Sequence, residues 1–335
     1  MEVGEKIKGQ SEYLILEKIA SGGMGSVLKA KMLGVEGFEK IVAIKTILSK
    51  YASNEIFVKR FVFEAKLVAS LVHENIVQIY QLDKRRKEYF FVQEYVDGIT
   101  LYDFMEFHKK VKLTLPIELA VFIASRIARG LAFAHSRYSP QGEPLNIIHC
   151  DICSHNLIIN REGVPKITDF GIAKAATMQR TGKISGKLAF MSPEQYSDPD
   201  SMTAQSDIYS LGVVLFYMLS LEHTRDLNAD KANLVEQIKT NYINWSVLPD
   251  TVPDKLREIL SKMLSFNPAD RFSNSAELAK TLEYYIYKDG YGPTIVSLAE
   301  YMKRTMPGFF CQPYDGDFLT VPPHCIASNE KTIII

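Results

Sequence analysis

The chain has no excess of charge of either sign: among its 335 residues, Lys plus Arg and Asp plus Glu both number 39. A dedicated nucleic-acid binder carries a clear basic excess, so that class is disfavoured. No apolar run is long enough for a membrane span, and the longest, Leu211 to Leu221, fits a buried core helix. The opening residues, MEVGEKIKGQSEY, lack an apolar signal region. Cysteine is sparse, four in all, too few for a disulfide framework in a chain of this length. Internal repeats and low-complexity segments are missing too. These absences point to a soluble protein of a reducing compartment, with a cytoplasmic location expected. Hydrophobic residues make up 47%, enough for a sizeable core, and the length suits one large domain or two modest ones sharing a cleft.

The most informative stretch is HCDICSHNLIINREGVPKITDFG, residues 149–171. An alternating run, Leu157 to Asn160, is followed by a turn at Arg161-Glu162-Gly163 and a second run, Val164 to Thr168. That pattern predicts a hairpin. It would bring Asp151 and Asn156 at one end together with Asp169 at the other. Oxygen ligands alone suit Mg²⁺, which takes few protein ligands and completes its shell with phosphate oxygens. A surface hairpin with ordinary solvated acids fits this stretch equally well.

Upstream, residues 1–12 are polar and are expected to be loose. From Tyr13 two strands flank the loop SGGMG, and a third strand, KIVAIKTI, follows. Gly22, Gly23 and Gly25 would let backbone approach a phosphate closely. A dinucleotide fold needs a helix directly after such a loop, and a P-loop needs Gly-Lys-Ser/Thr at its end; neither is present. Lys45 closes the third strand. Residues 54–72 show helical apolar spacing with Asn54 as a cap, and Glu64 on that apolar helix needs a partner, for which Lys45 is the obvious candidate. Two more strands, 76–82 and 89–96, end at Asp97-Gly98, after which the pattern turns helical. Helices are predicted over 117–135, 204–221, 230–240, 254–264 and 275–286, with a polar mobile loop over 172–190. A further helix over 293–305 is expected to end at Pro307, with disorder over about the last fifteen residues. A strand-rich unit thus precedes a helical one, with a cleft between them as the natural ligand site.

In this order the chain resembles the bacterial Ser/Thr protein kinases of the eukaryotic (Hanks) type, over roughly Tyr13 to Tyr287. The loop IASGGMGSV, the VAIK of Val42–Lys45, Glu64 in RFVFEAK, FVQEYVDGITL, HCDICSHN, the DFG of Asp169 to Gly171, SPE at Ser192 to Glu194, SDIYSLGVVLF and Arg271 in NPADRF carry the resemblance. It implies an α+β fold of two lobes: an N-terminal arm (1–12), a small antiparallel β lobe with one main helix (13–97), a larger α-helical lobe (98–288), and a C-terminal helix and tail (289–335). It also implies ATP and Mg²⁺ as cofactors and transfer of the γ-phosphate to Ser/Thr hydroxyls of protein substrates. Asp151 would be the catalytic base, and Lys45, oriented by Glu64, would hold the α- and β-phosphates. Asn156 and Asp169 would hold the metal. Ala20, Ser21, Gly22, Gly23 and Gly25 would cover the phosphates. Val27, Ala43 and Leu157 would sandwich the adenine, with Gln93 as gatekeeper and the backbone of Glu94 and Val96 hydrogen-bonding the base. Asp207 and the pair Glu194–Arg271 would be structural.

Four departures matter. Ala20 replaces the first loop glycine. Cys150 replaces the arginine that reads an activation-loop phosphate, so Thr177, Thr181 and Ser185 are possible autophosphorylation sites but not the expected switch. Cys153 stands where a lysine neutralises the transferring phosphate, a donor worth about 2.7–4 kcal/mol in a barrier; Lys174 or Lys187 are the candidate replacements. Lys187 itself stands where a threonine helps hold the catalytic aspartate. The spacing of Cys150 and Cys153 also permits a redox or metal reading, disfavoured because no second pair lies nearby. Cys311, His324 and Cys325 fit no zinc module. These departures keep a second reading alive, a pseudokinase acting as a nucleotide-binding scaffold.

Overall fold

Strand polarity organises the N-terminal part. The computed structural model describes residues 1–21, 25–46, 62, 68–85, 88–139, 141–170 and 188–311. Strands β1 (Lys6–Lys8), β2 (Glu12–Ser21), β3 (Ser26–Leu33), β4 (Glu39–Thr46), β5 (Ile79–Arg85) and β6 (Glu88–Glu94) form one six-stranded sheet in the order β1-β2-β3-β4-β6-β5. All five pairings are antiparallel. Alternate residues of these strands, Tyr13 and Ile15, Leu28 and Ala30, Val42 and Ile44, Phe90 and Val92, close one small core.

The N-terminal arm corrects an expectation. It is not loose: β1 pairs with β2, and Ile7 is buried in the same core. Its polar letters hide a single inward apolar residue, too little for periodicity to register. The sheet also curls until its two edges meet. Glu5 pairs with Arg85 at 2.6 Å, and the Gln10 amide donates to Asp83 at 2.8 Å. Gly9 makes this approach possible, because a Cβ there would overlap the Asp83 carboxylate. These side-chain contacts cover part of both edges.

Of the helix predicted over 54–72, only Val62 and residues 68–72 are described, and Val68 and Leu71 enter the main core. A second sheet, β7 (Gly98–Thr100), β8 (Leu157–Asn160) and β9 (Pro165–Ile167), contains the predicted hairpin. Its edge reaches the upstream part: Val77 N donates to Ile167 O at 2.9 Å and Ile167 N to Asn75 O at 2.8 Å.

The helical part begins with α1 (Leu101–Val111), capped by Thr100 accepting from Asp103 N, and α2 (Ile117–His135). Short α3 (Pro193–Ser197) precedes α4 (Ala204–Ser220), α5 (Lys231–Lys239), α6 (Asp254–Met263) and α7 (Ser275–Tyr287). Helix α4 is apolar nearly all round and is buried from Ser206 to Leu219, the signature of a helix inside a core rather than on its surface. Beyond it, α8 (Ile295–Thr305) buries Leu298, Tyr301 and Met302. Pro307 does not merely end that helix. It opens α9 (Pro307–Cys311), as a proline at a first helical position does. The start of α8 sits on the β8–β9 turn, where a Cβ at Gly163 (φ +79°) would overlap the Ile295 carbonyl. The tail helices are therefore packed onto the hairpin that carries the candidate site. Residues predicted as a mobile loop over 172–187 and as a disordered terminus lie outside the described residues; Leu188, Ala189 and Phe190, the end of that loop, are buried.

Candidate active site

The hairpin brings its two ends together. Leu157 pairs with Ile167, and one step outward Thr168 N donates to Asn156 O at 2.9 Å, which sets Asn156 beside Asp169. Asn156 Nδ2 donates to both Asp151 O (2.8 Å) and Asp151 Oδ2 (2.9 Å). Lys45, on β4 opposite Val27 of β3 and Phe91 of β6, reaches across to Asp169 Oδ1 at 2.6 Å. Lys45, Asp151, Asn156 and Asp169 are thus linked in one cluster.

The loop holding Asp151 is fixed from below. Asp207, in the first turn of α4 and wholly buried, accepts from His149 N (2.8 Å), Cys150 N (2.9 Å) and His135 Nε2 (2.9 Å). Burial pushes its carboxyl up, but the His135 and His149 contacts outweigh that and hold it below its usual 3.8. These donors hold Cys150 in a left-handed conformation, φ 60°, while Asp169 has φ 58°. Each such residue costs about 1–3 kcal/mol, so the surrounding bonds must enforce it. His149 ties the two acids' backbones together: its Nδ1 accepts from Asp151 N (3.1 Å) and its Nε2 lies 3.0 Å from Thr168 O. A carbonyl only accepts and an amide N–H only donates, so the ring is neutral with its proton on Nε2. Phe170 is buried and rests on this ring, centroids 4.7 Å apart.

The wall around the cluster is described in part. Ala20 pairs with Val27 and Ser21 with Ser26. Ala43, 4% exposed, pairs with the buried Gln93, and Leu157 is 1% exposed. Glu94 N donates to Gln78 O at 2.8 Å, and its carboxylate pairs with Lys166 at 2.9 Å. Val96 is half-buried. Glu64, Gly22, Gly23, Lys174, Lys187, Thr177, Thr181 and Ser185 lie outside the described residues, as do His324 and Cys325; Gly25 is described, half-buried before β3. No group of three or more metal-ligating His, Cys, Asp or Glu occurs among the described residues.

Cys153 departs from the simple expectation. Its side chain is 3% exposed and belongs to the main hydrophobic core. A thiol behaves as a small apolar group, so this position contributes packing where a lysine would have offered a cation.

The segment after the undescribed loop is anchored from several sides. Arg271 holds Glu194 through two hydrogen bonds of 2.6 and 2.8 Å. Burial raises the Glu194 carboxyl, but Arg271 and the Ser206 hydroxyl hold it below its usual 4.5. Arg225, almost wholly buried, donates to the carbonyls of Leu188 (3.1 Å), Ala189 (3.1 Å) and Met191 (2.9 Å) and to Tyr209 OH (2.8 Å). Sequence reasoning passed over Arg225, His149 and Gln195. The only signal for Gln195 is its place directly after the SPE segment.

A curled antiparallel β lobe against a helical lobe, with Lys45, Asp169, Asn156 and Asp151 meeting at their junction, defines the two-lobe fold and cleft of the phosphoryl-transferring kinases. Residues 13–284 match the protein kinase domain, and the chain belongs to that family. It is 35% identical over 300 residues to tyrosine-protein kinase MasK of Myxococcus xanthus, covering 87% of this chain and 45% of MasK. It is 32% identical to serine/threonine-protein kinase PrkC of Bacillus subtilis, over 83% of this chain and 41% of PrkC. For serine/threonine-protein kinase PknL of Mycobacterium tuberculosis the figures are 31%, 82% and 65%. The chain therefore spans less than two thirds of these relatives. The kinase domain of M. tuberculosis PknI superposes with a TM-score of 0.63 at 21% identity, covering 84% of this chain and 98% of that one, a likeness of fold.

Proposed function

We propose that the protein is an ATP-dependent kinase that transfers the γ-phosphoryl group to Ser/Thr hydroxyls of protein substrates, itself included. The observation that carries this is the Lys45–Asp169–Asn156–Asp151 cluster. Such transfer needs positioning and charge neutralisation more than covalent chemistry; here Lys45 pairs with Asp169 and Asn156 with Asp151, the two pairs joined by the Thr168 N to Asn156 O backbone bond.

The donor set fits Mg²⁺. Asn156 commits Nδ2 to Asp151, which turns Oδ1 toward other partners, and Asp169 supplies a carboxylate beside it. Two oxygen donors suit an ion that completes its shell with phosphate oxygens; bound there, it would neutralise charge on the phosphates. Lys45, in reach of Asp169, would hold the α- and β-phosphates, oriented by Glu64. Gly22, Gly23 and Gly25, with Ala20 and Ser21, would cover them. Val27, Ala43 and Leu157 would enclose the adenine under Gln93, with the backbone of Glu94 and Val96 as its hydrogen-bond edge. Asp151, aimed by Asn156, accepts the proton of the attacking hydroxyl as that oxygen bonds to phosphorus and ADP departs. Residues 13–97 and 98–288 serve as the two lobes and 289–335 as an appended tail. Thr177, Thr181 and Ser185 are the candidate autophosphorylation sites. No helix among the described residues is long and apolar enough to cross a membrane; a cytoplasmic setting belongs to this reading.

The scaffold alternative loses ground because Lys45, Asp151, Asn156 and Asp169 are retained and Lys45 reaches Asp169, although Cys153 supplies no cation. The relative named a tyrosine kinase makes the acceptor hydroxyl the point to check. Incubation with γ-labelled Mg-ATP and a mixed protein substrate, followed by phosphoamino-acid analysis, is expected to give phosphoserine and phosphothreonine. Label confined to tyrosine would overturn the acceptor class.

A further inference from the structure

One buried side chain outside this cluster reaches the backbone beside Asp151. Gln195, in the first turn of α3, is 3% exposed. Its two amide atoms serve different partners. Oε1 accepts from Ser192 N (2.9 Å) and Ser192 Oγ (3.1 Å), completing the capping box of α3; Ser210 Oγ lies 3.5 Å away. Nε2 donates to Cys150 O at 3.1 Å. That carbonyl belongs to the peptide group whose N–H is that of Asp151, and the N–H is held by His149 Nδ1 at 3.1 Å. Both polar ends of the 150–151 peptide are therefore clamped by side chains, one from the loop itself and one from the segment anchored by Arg271 and Arg225. With Cys150 held at φ 60°, a rotation of this peptide would swing the Asp151 carboxylate.

We propose that Gln195 is a positioning residue for the transfer reaction: its amide fixes the Cys150–Asp151 peptide, and so the aim of Asp151, by a neutral bond from the segment that follows SPE. The bond reaches a backbone carbonyl, so it does not depend on the side chain at position 150. This rests on the kinase reading above, and the test separates the two.

Gln195→Glu keeps the accepting half and the cap but replaces the donor. An ionised carboxylate cannot donate to Cys150 O, whereas a protonated one can. Leaving a buried acceptor unsatisfied is expected to lower kcat about tenfold or more at pH 8, with KM for ATP within about twofold. Buried at a site 3% exposed, the new carboxyl titrates above the usual carboxylate range, so the variant's kcat relative to wild type recovers as pH falls from 8 to 6. Asp151, Asp207, Glu194, Arg225, Arg271 and Tyr209 are present in both proteins, so the ratio isolates the titration of the new carboxyl together with its influence on these groups. Gln195→Met, which loses both halves, shows the loss without the pH recovery. Wild-type kcat in Gln195→Glu at pH 8, or a loss flat with pH that merely follows thermal stability, would overturn the proposal. A crystal structure of Gln195→Met supplies a readout independent of turnover. The 150–151 peptide is expected to rotate there, and an unmoved Asp151 counts against the proposal even if the wild type transfers no phosphate. Absence of transfer in the wild type counts against the kinase reading instead.

Discussion

Cys150 and Cys153 look interchangeable as letters, yet the fold gives them opposite places. Cys150 is half-exposed in a left-handed turn whose backbone is held by Asp207 and Gln195. Cys153 is core. Cys153→Ala is accordingly expected to leave Mg-ATP-dependent transfer within about threefold, since an alanine keeps the packing surface largely apolar; steady-state kinetics check this. Lys45→Met is expected to abolish transfer while leaving circular dichroism unchanged, because the ammonium meets Asp169 rather than the core. At Glu194 the consequence is for stability. Glu194→Gln leaves the Arg271 guanidinium, 3% exposed, without its counter-charge, a loss of about 3–5 kcal/mol. The folded Glu194 carboxyl titrates below its unfolded value near 4.5. Its stabilisation is therefore complete above that pH and is lost as pH falls through the lower, folded value. Melts from pH 7 to 3 should show wild type losing part of its advantage over the variant only below about pH 4.5. That Asp151, Asn156 and Asp169 would be brought together by a hairpin was legible from the sequence, because its two alternating runs and turn are patterned; the roles of these residues and of Lys45 came from the family resemblance. Gln195 and Arg225 were not legible, since a polar side chain that bonds distant carbonyls leaves no periodicity behind.

At the scale of elements, long amphipathic or apolar patterns were read closely. The helix predicted over 117–135 is Ile117–His135, and that over 204–221 is Ala204–Ser220. Short elements fixed by tertiary contact were not foreseen: β1, whose pairing rests on Ile7 and two edge contacts, and α9 after Pro307. The closing of the sheet depends on Gly9. Asp83 cannot easily yield there, because it already accepts from Gln10 N, Gln81 Nε2 and Lys84 N. Gly9→Ala is expected to cost about 1–3 kcal/mol, read as a lowered urea midpoint with unchanged slope. The tail is bound by a comparable buried contact, His108 Nε2 to Tyr301 OH at 2.9 Å. Burial holds the His108 ring below its usual pKa, so it stays neutral, and Tyr301→Phe removes one hydrogen bond at a cost of about 1–3 kcal/mol.

For the molecule as a whole, the two sheets and the helical core converge on one cleft, and the C-terminal helices brace it from behind. Arg161, in the hairpin turn, pairs with Asp97 at 2.9 Å and lies under the Phe309 ring at 4.6 Å, so the lobe junction at Asp97, the hairpin and the tail share one contact. The two-lobe plan was legible because strand and helix patterns change at Asp97-Gly98. How the tail closes on the hairpin was not, because it depends on Gly163 admitting the Ile295 carbonyl. The central claim is that this cleft transfers phosphate and does not merely hold nucleotide. Its most direct test is the initial rate of label transfer from γ-labelled Mg-ATP by the wild type and by Asp151→Asn, with nucleotide binding measured on both. A positioned base contributes about 10²–10⁴-fold, so the wild type is expected to exceed the variant by that factor while both bind Mg-ATP alike. Equal rates at equal binding would contradict the claim and leave a nucleotide-binding scaffold.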